Sequence, residues 1–123
     1  MAASLTALGA ILGNKLISDT SVGTTVQDNV ITGGGSIYWV IIDNTNNSAA
    51  SYLKFWDATG SVTLGTTDPV MILKAPASTK LQYSFPKGIA FGSGICYACT
   101  NSAGTAGTSA PSSAVSIRFG AGT

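Results

Sequence analysis

The chain has 123 residues, of which 45% are hydrophobic and only 9% charged, with six basic and five acidic side chains giving a net charge of +1; an average soluble domain carries about 25% charge. It contains no histidine and no glutamate, so the usual proton shuttle, the commonest metal ligand and the next choice of general acid or base are all missing. The length suits one domain, and Lys15, Lys54, Lys74, Lys80, Lys87 and Arg118 are too dispersed to form the basic cluster a nucleic-acid binder needs.

Residues 1–17 are apolar and small. Their first base, Lys15, follows the apolar stretch, whereas a secretory signal places its bases ahead of it. Gly9 and Gly13 interrupt the run, which is also too short to span a bilayer, so no membrane contact is expected. Residues 1–20 read as an N-terminal arm ahead of a domain over 21–123. Leu5, Leu8, Ile11 and Leu12 have no obvious partner inside a compact domain and are the arm's candidate docking residues. A tail ordered only by its neighbours remains the alternative.

Strand patterns fill the rest. Thr24 to Ile31 is a weak strand, and the glycines Gly33 to Gly35 mark a turn. Ile37 to Asp43 is β-branched and aromatic on both faces, which predicts a central strand. Asn44 to Ser48 reads as a hairpin-like connection. In Tyr52 to Trp56, Leu53 and Phe55 share one face while Tyr52, Lys54 and Trp56 share the other. Further strands are expected over Val70 to Leu73, over the alternating Leu81, Tyr83 and Phe85, over Ile95 to Thr100, and over Val115, Ile117 and Phe119. Turn signals at Ala75 to Ser78 and Pro86 to Gly88, and a loop over Asn101 to Ser113, separate them. Gly65 to Pro69 echoes Gly107 to Pro111, each ahead of a strand. The sum is an all-β, single-domain antiparallel β-sandwich, jelly-roll or immunoglobulin-like.

Chemistry-bearing groups are sparse. Asp19, Asp28, Asp43, Asp57 and Asp68 stand singly, without calcium-loop or two-metal spacing. Cys96 and Cys99 form Cys-Tyr-Ala-Cys, but no further soft ligand completes a zinc site. On a strand the two thiols lie on opposite faces about 10 Å apart, beyond disulfide reach, so both are expected to be free. A serine nucleophile needs a base, and with no histidine that base would have to be a lysine. No catalytic residue, metal or cofactor is expected. Trp39 and Trp56 are candidate interface anchors, since tryptophan is enriched at hot spots, although each also suits a core. Lys54 and Arg118 alternate with apolar positions and are expected on solvated faces.

The succession Ile41 to Thr45, Tyr52 to Ala58 and Val62 to Pro69, followed by Pro76-Ala77, Tyr83 to Phe91 and Gly104 to Pro111, resembles small β-rich structural proteins of tailed bacteriophages, particularly phages of aquatic bacteria. It spans about two thirds of the chain. The resemblance implies a virion location and a capsid decoration or cement role: binding the major capsid protein lattice, commonly as a homotrimer. Another virion component, such as a tail, neck or head-fibre protein, fits the same patterns. A carbohydrate-binding sandwich stacking sugars on Tyr38, Trp39, Tyr52 or Trp56 is the third class.

Overall fold

The computed structural model describes residues 14–122. They form eight strands: β1 (Lys15–Val22), β2 (Gln27–Thr32), β3 (Gly35–Asp43), β4 (Ser51–Asp57), β5 (Met71–Ala75), β6 (Lys80–Phe91), β7 (Gly94–Thr100) and β8 (Val115–Gly122). β1 begins at Lys15, so Lys15 to Thr20, expected in the arm, belong to the sheet; their alternation of outward Leu16 and Ser18 with inward Ile17 and Asp19 is a strand pattern.

Pairing is nested and antiparallel throughout: β1 with β8, β2 with β7, β3 with β6 and β4 with β5. Two further pairings, β3 with β8 and β4 with β7, gather the strands into sheet A, ordered β1-β8-β3-β6, and sheet B, ordered β2-β7-β4-β5. Every connection except β4 to β5 passes from one sheet to the other. A long hairpin folded over on itself in this way is a jelly roll, which sets the immunoglobulin alternative aside.

The crossing pattern corrects two sequence expectations. Asn44 to Ser48 is not a hairpin, because β3 and β4 lie in different sheets; it is a corner built around the fully buried Asn44. The Asn44 amide donates to the carbonyls of Ala49, Ala75 and Pro76, while its oxygen accepts from Asn47 and Ser51. Asn47 in turn reaches Ser113, so one polar knot ties three connections together. Pro86 to Gly88 is not a turn between strands but a bulge within β6, where the pairing with β3 jumps from Ser84 to Ile89. A proline there is tolerable because β6 is an edge strand.

The core lies between the sheets, with Ile37, Val40 and Ile42 of β3, Leu53 and Phe55 of β4, and Ile117 and Phe119 of β8. Phe119 packs edge-on against Phe55, with centroids 5.4 Å apart, and against Tyr97 at 5.8 Å. Burial would strand the Tyr97 hydroxyl, so it donates to Asp19 Oδ2 at 2.7 Å, fastening edge strand β1 over the core. Burial and that carboxylate raise the phenol's pKa well above its usual value. Gly34 turns the chain from sheet B to sheet A at φ +82, and an added Cβ would collide with the Phe91 carbonyl.

Candidate partner-docking face

Register assembles the outer face of sheet A residue by residue. Leu16, Gly120, Trp39 and Ser84 form one row across the four strands, and Ser18, Arg118, Ile41 and Gln82 form the next. A third row holds Ser116, Asp43 and Lys80, with Thr20 beside them. The alternate residues point into the core, so every side chain in these rows faces away from it. Gly120 has a steric reason: the Trp39 indole lies across it, and an added Cβ would strike indole Nε1.

Leu16 is 54% exposed, Trp39 and Ile41 are half-buried, and Arg118 is exposed between them. Beyond Ile41 the surface sinks into a hollow of about 340 Å³, lined by Ser18, Thr20, Ile41, Asp43, Lys80, Ser116 and Arg118. Asp43 is already engaged. Its Oδ1 accepts from the Thr45 hydroxyl at 2.6 Å and the Thr45 amide at 3.1 Å, and these bonds, helped by Lys80, hold its pKa below the usual carboxylate value. The Arg118 guanidinium has no hydrogen-bond or ion-pair partner among the described residues.

The outer face of sheet B is built oppositely. Lys54 and Trp56 of β4 and Cys96 and Ala98 of β7 point outward, yet all four are buried. Residues 58–70 and 101–114 fold over them. Val62 and Leu64 from the first segment, with Val26 and Ala58, close a second apolar cluster on Trp56, Cys96 and Ala98. Trp56 Nε1 donates to the Thr67 carbonyl at 2.9 Å. Lys54 Nζ donates to the carbonyls of Gly104 at 2.7 Å and Gly107 at 3.4 Å, and burial pushes its pKa down. The two covering segments also hold each other, through Thr105 Oγ1 on Asp68 and through Gly65 beneath the Thr108 methyl. The echoing stretches Gly65 to Pro69 and Gly107 to Pro111 thus meet as a joint cover.

Of the candidate anchors, Trp39 lies on the open face and Trp56 does not. At 2% exposure Trp56 is covered core, and Lys54, expected on a solvated face, is completely buried. Alternation along β4 is real, but loops distant in sequence cover its polar side. Arg118 is exposed as expected. Tyr38 and Tyr52 are half-buried. Leu5, Leu8, Ile11 and Leu12 lie outside the described residues. Leu16 and Ile41 join the site without having been singled out; the signal was Ile41 alternating with core-facing Val40 and Ile42.

Asp57 and the two cysteines are engaged inside the fold. Asp57 accepts from the backbone amides of Ser93, Gly92 and Gly94, which lower its pKa and bind the β6–β7 turn to the end of β4. Cys96 and Cys99 are free and buried. Cys96 Sγ receives the Asn29 amide and donates to the Ala58 carbonyl, and Cys99 sits in the main core, where burial pushes its thiol up to about 12. No group of three potential metal-ligating side chains occurs among the described residues. The open face therefore offers apolar area, hydroxyls and a free cation, which are means of binding. Comparison with family models, with curated proteins and with solved structures gives no match to this chain.

Proposed function

We propose that this chain is a structural protein of a virus particle, a capsid decoration or cement protein that docks on the major capsid protein lattice through the outer face of sheet A. One observation carries the reading: of two outer faces in the same sandwich, one is roofed by its own loops, and on the other no described segment lies over exposed Leu16 and half-buried Trp39 and Ile41 around Arg118. Apolar residues rimmed by polar ones mark interaction surfaces, and Trp with Arg is the pairing enriched where binding energy concentrates. The fold adds little by itself, because jelly rolls serve viral capsids and lectins alike. The resemblance to small phage structural proteins supplies the virion context, a homo-oligomer with a trimer favoured, and no catalytic role.

The test is to add purified protein to capsids that lack it and image the particles. Regular occupancy of lattice sites is expected. Density confined to the tail or portal vertex would instead make the chain a tail, neck or head-fibre component. Trp39 beside Ser84 and Arg118 also favours one further reading, a sugar-binding platform. Glycan-array binding lost on Trp39→Ala, without lattice occupancy, would establish it.

A further inference from the structure

We infer that the partner surface met by sheet A is acidic, and that it places a carboxylate on Arg118 with apolar side chains over Trp39, Ile41 and Leu16. This rests on the docking reading above and specifies the partner's chemistry. Charge complementarity carries it. The hollow holds two cations, Arg118 and Lys80, against one carboxylate, Asp43. Asp43 is held by Thr45 and lies opposite Lys80 across the β3–β6 ladder, so its charge is compensated within its own row. Arg118 lies one row away, between Ser18 and Ile41, with no such compensation among the described residues.

A guanidinium presents a planar fork of donors that matches a carboxylate bidentately. Ser18, Thr20 and Ser116 line the same hollow and can donate to any oxygen the fork leaves unsatisfied. Leu16, Trp39 and Ile41 border Arg118 in the same and the adjoining row. Once a partner covers them, water is excluded and the charge pair strengthens. A basic partner would meet Arg118 and Lys80 with like charge, and a purely apolar one would bury Arg118 unpaired, which is heavily unfavourable.

The experiment is cosedimentation of the full chain with capsids lacking it, over a range of salt, for wild type, Arg118→Lys, Arg118→Ala and Arg118→Glu. Arg118 is exposed, so the variants should melt like wild type, which circular dichroism checks. The expected result is wild-type binding that weakens with salt, partial retention by Arg118→Lys, and a loss of about tenfold or more for Arg118→Glu at low salt, with a flatter salt response for Arg118→Ala. Equal binding by wild type and Arg118→Glu overturns the acidic-partner inference and leaves the docking reading standing. Absence of wild-type binding overturns both. Two results would assign another occupant and also overturn it: a wild-type oligomer that Arg118→Glu dissociates in sedimentation velocity, which makes the face a contact between copies, or Trp39 becoming accessible to quencher only when residues 1–13 are deleted.

Discussion

Trp56 and Trp39 sit on outward-facing positions of central strands in the two sheets, and so do Lys54 and Arg118, yet their surroundings are opposite. On sheet B the tryptophan is roofed and its indole N–H satisfied by the Thr67 carbonyl, and the lysine is sealed under Gly104 and Gly107. On sheet A the tryptophan is half-open and the arginine has no partner among the described residues. Strand alternation assigns a side chain to a face; whether that face is core or surface is decided by loops that alternation does not describe. The cation follows the same rule. A buried ammonium persists without a carboxylate only because two carbonyls solvate it, so Lys54 acts as a post holding segment 101–114, which brings no large apolar side chain of its own.

Substitutions that remove the cover should do the most damage. Trp56→Ala deletes the centre of the second apolar cluster and should cost about 3–5 kcal/mol in denaturant unfolding. Lys54→Ala loses a packed stem and leaves two carbonyls without their donor, for about 2–3 kcal/mol, and hydrogen exchange should quicken in residues 101–114. The matching change on the open face, Trp39→Ala, should cost only about 1 kcal/mol while abolishing capsid association. If Trp39→Ala were as destabilising as Trp56→Ala, the contrast between the faces would be wrong.

Smallest near neutral pH is a pH dependence, which develops only in the alkaline range. The Cys99 thiol is raised by burial to about 12 from an ordinary value of 9.0, and Cys96 and Tyr97 are raised as well, each chiefly by burial. An acid whose pKa is higher in the folded chain contributes stability that is complete below its unfolded value and is lost as pH climbs toward the folded one. Stability should therefore begin to fall near pH 9 and keep falling toward pH 12, the window set by Cys99. Lys54 pulls the other way, since its lowered pKa means folding penalises the charged amine, and that penalty is relieved as pH rises. Three groups against one give a net decline. Urea midpoints measured across the alkaline range should show it, with a shallower slope for Cys99→Ala.

Much of the fold is legible in the chain. Leu53 and Phe55 alternate with Lys54 and Trp56, and Ile117 and Phe119 with Ser116 and Arg118, because each strand has one face on the common core. The free state of Cys96 and Cys99 follows from their strand, whose extended spacing separates them. What escapes is long-range. Nothing near Asn44 announces that its amide will reach carbonyls as distant as Ala75 and Pro76, so the corner resembles a hairpin. Likewise the Asn101 to Ser113 loop gives no sign that it will seal Lys54, because its ties are backbone carbonyls that any residue supplies. The open face is half-legible: Trp39, Ile41 and Arg118 can each be read as outward, but their convergence depends on β8 entering between β1 and β3.

The most direct measurement of the central claim is a reconstruction of capsids saturated with this protein, at a resolution that orients the sandwich. Sheet A should face the lattice, with Trp39, Ile41 and Arg118 covered and the roofed side of sheet B turned to solvent. A bound molecule standing on its sheet B loops, with Trp39 and Arg118 still exposed, would contradict it.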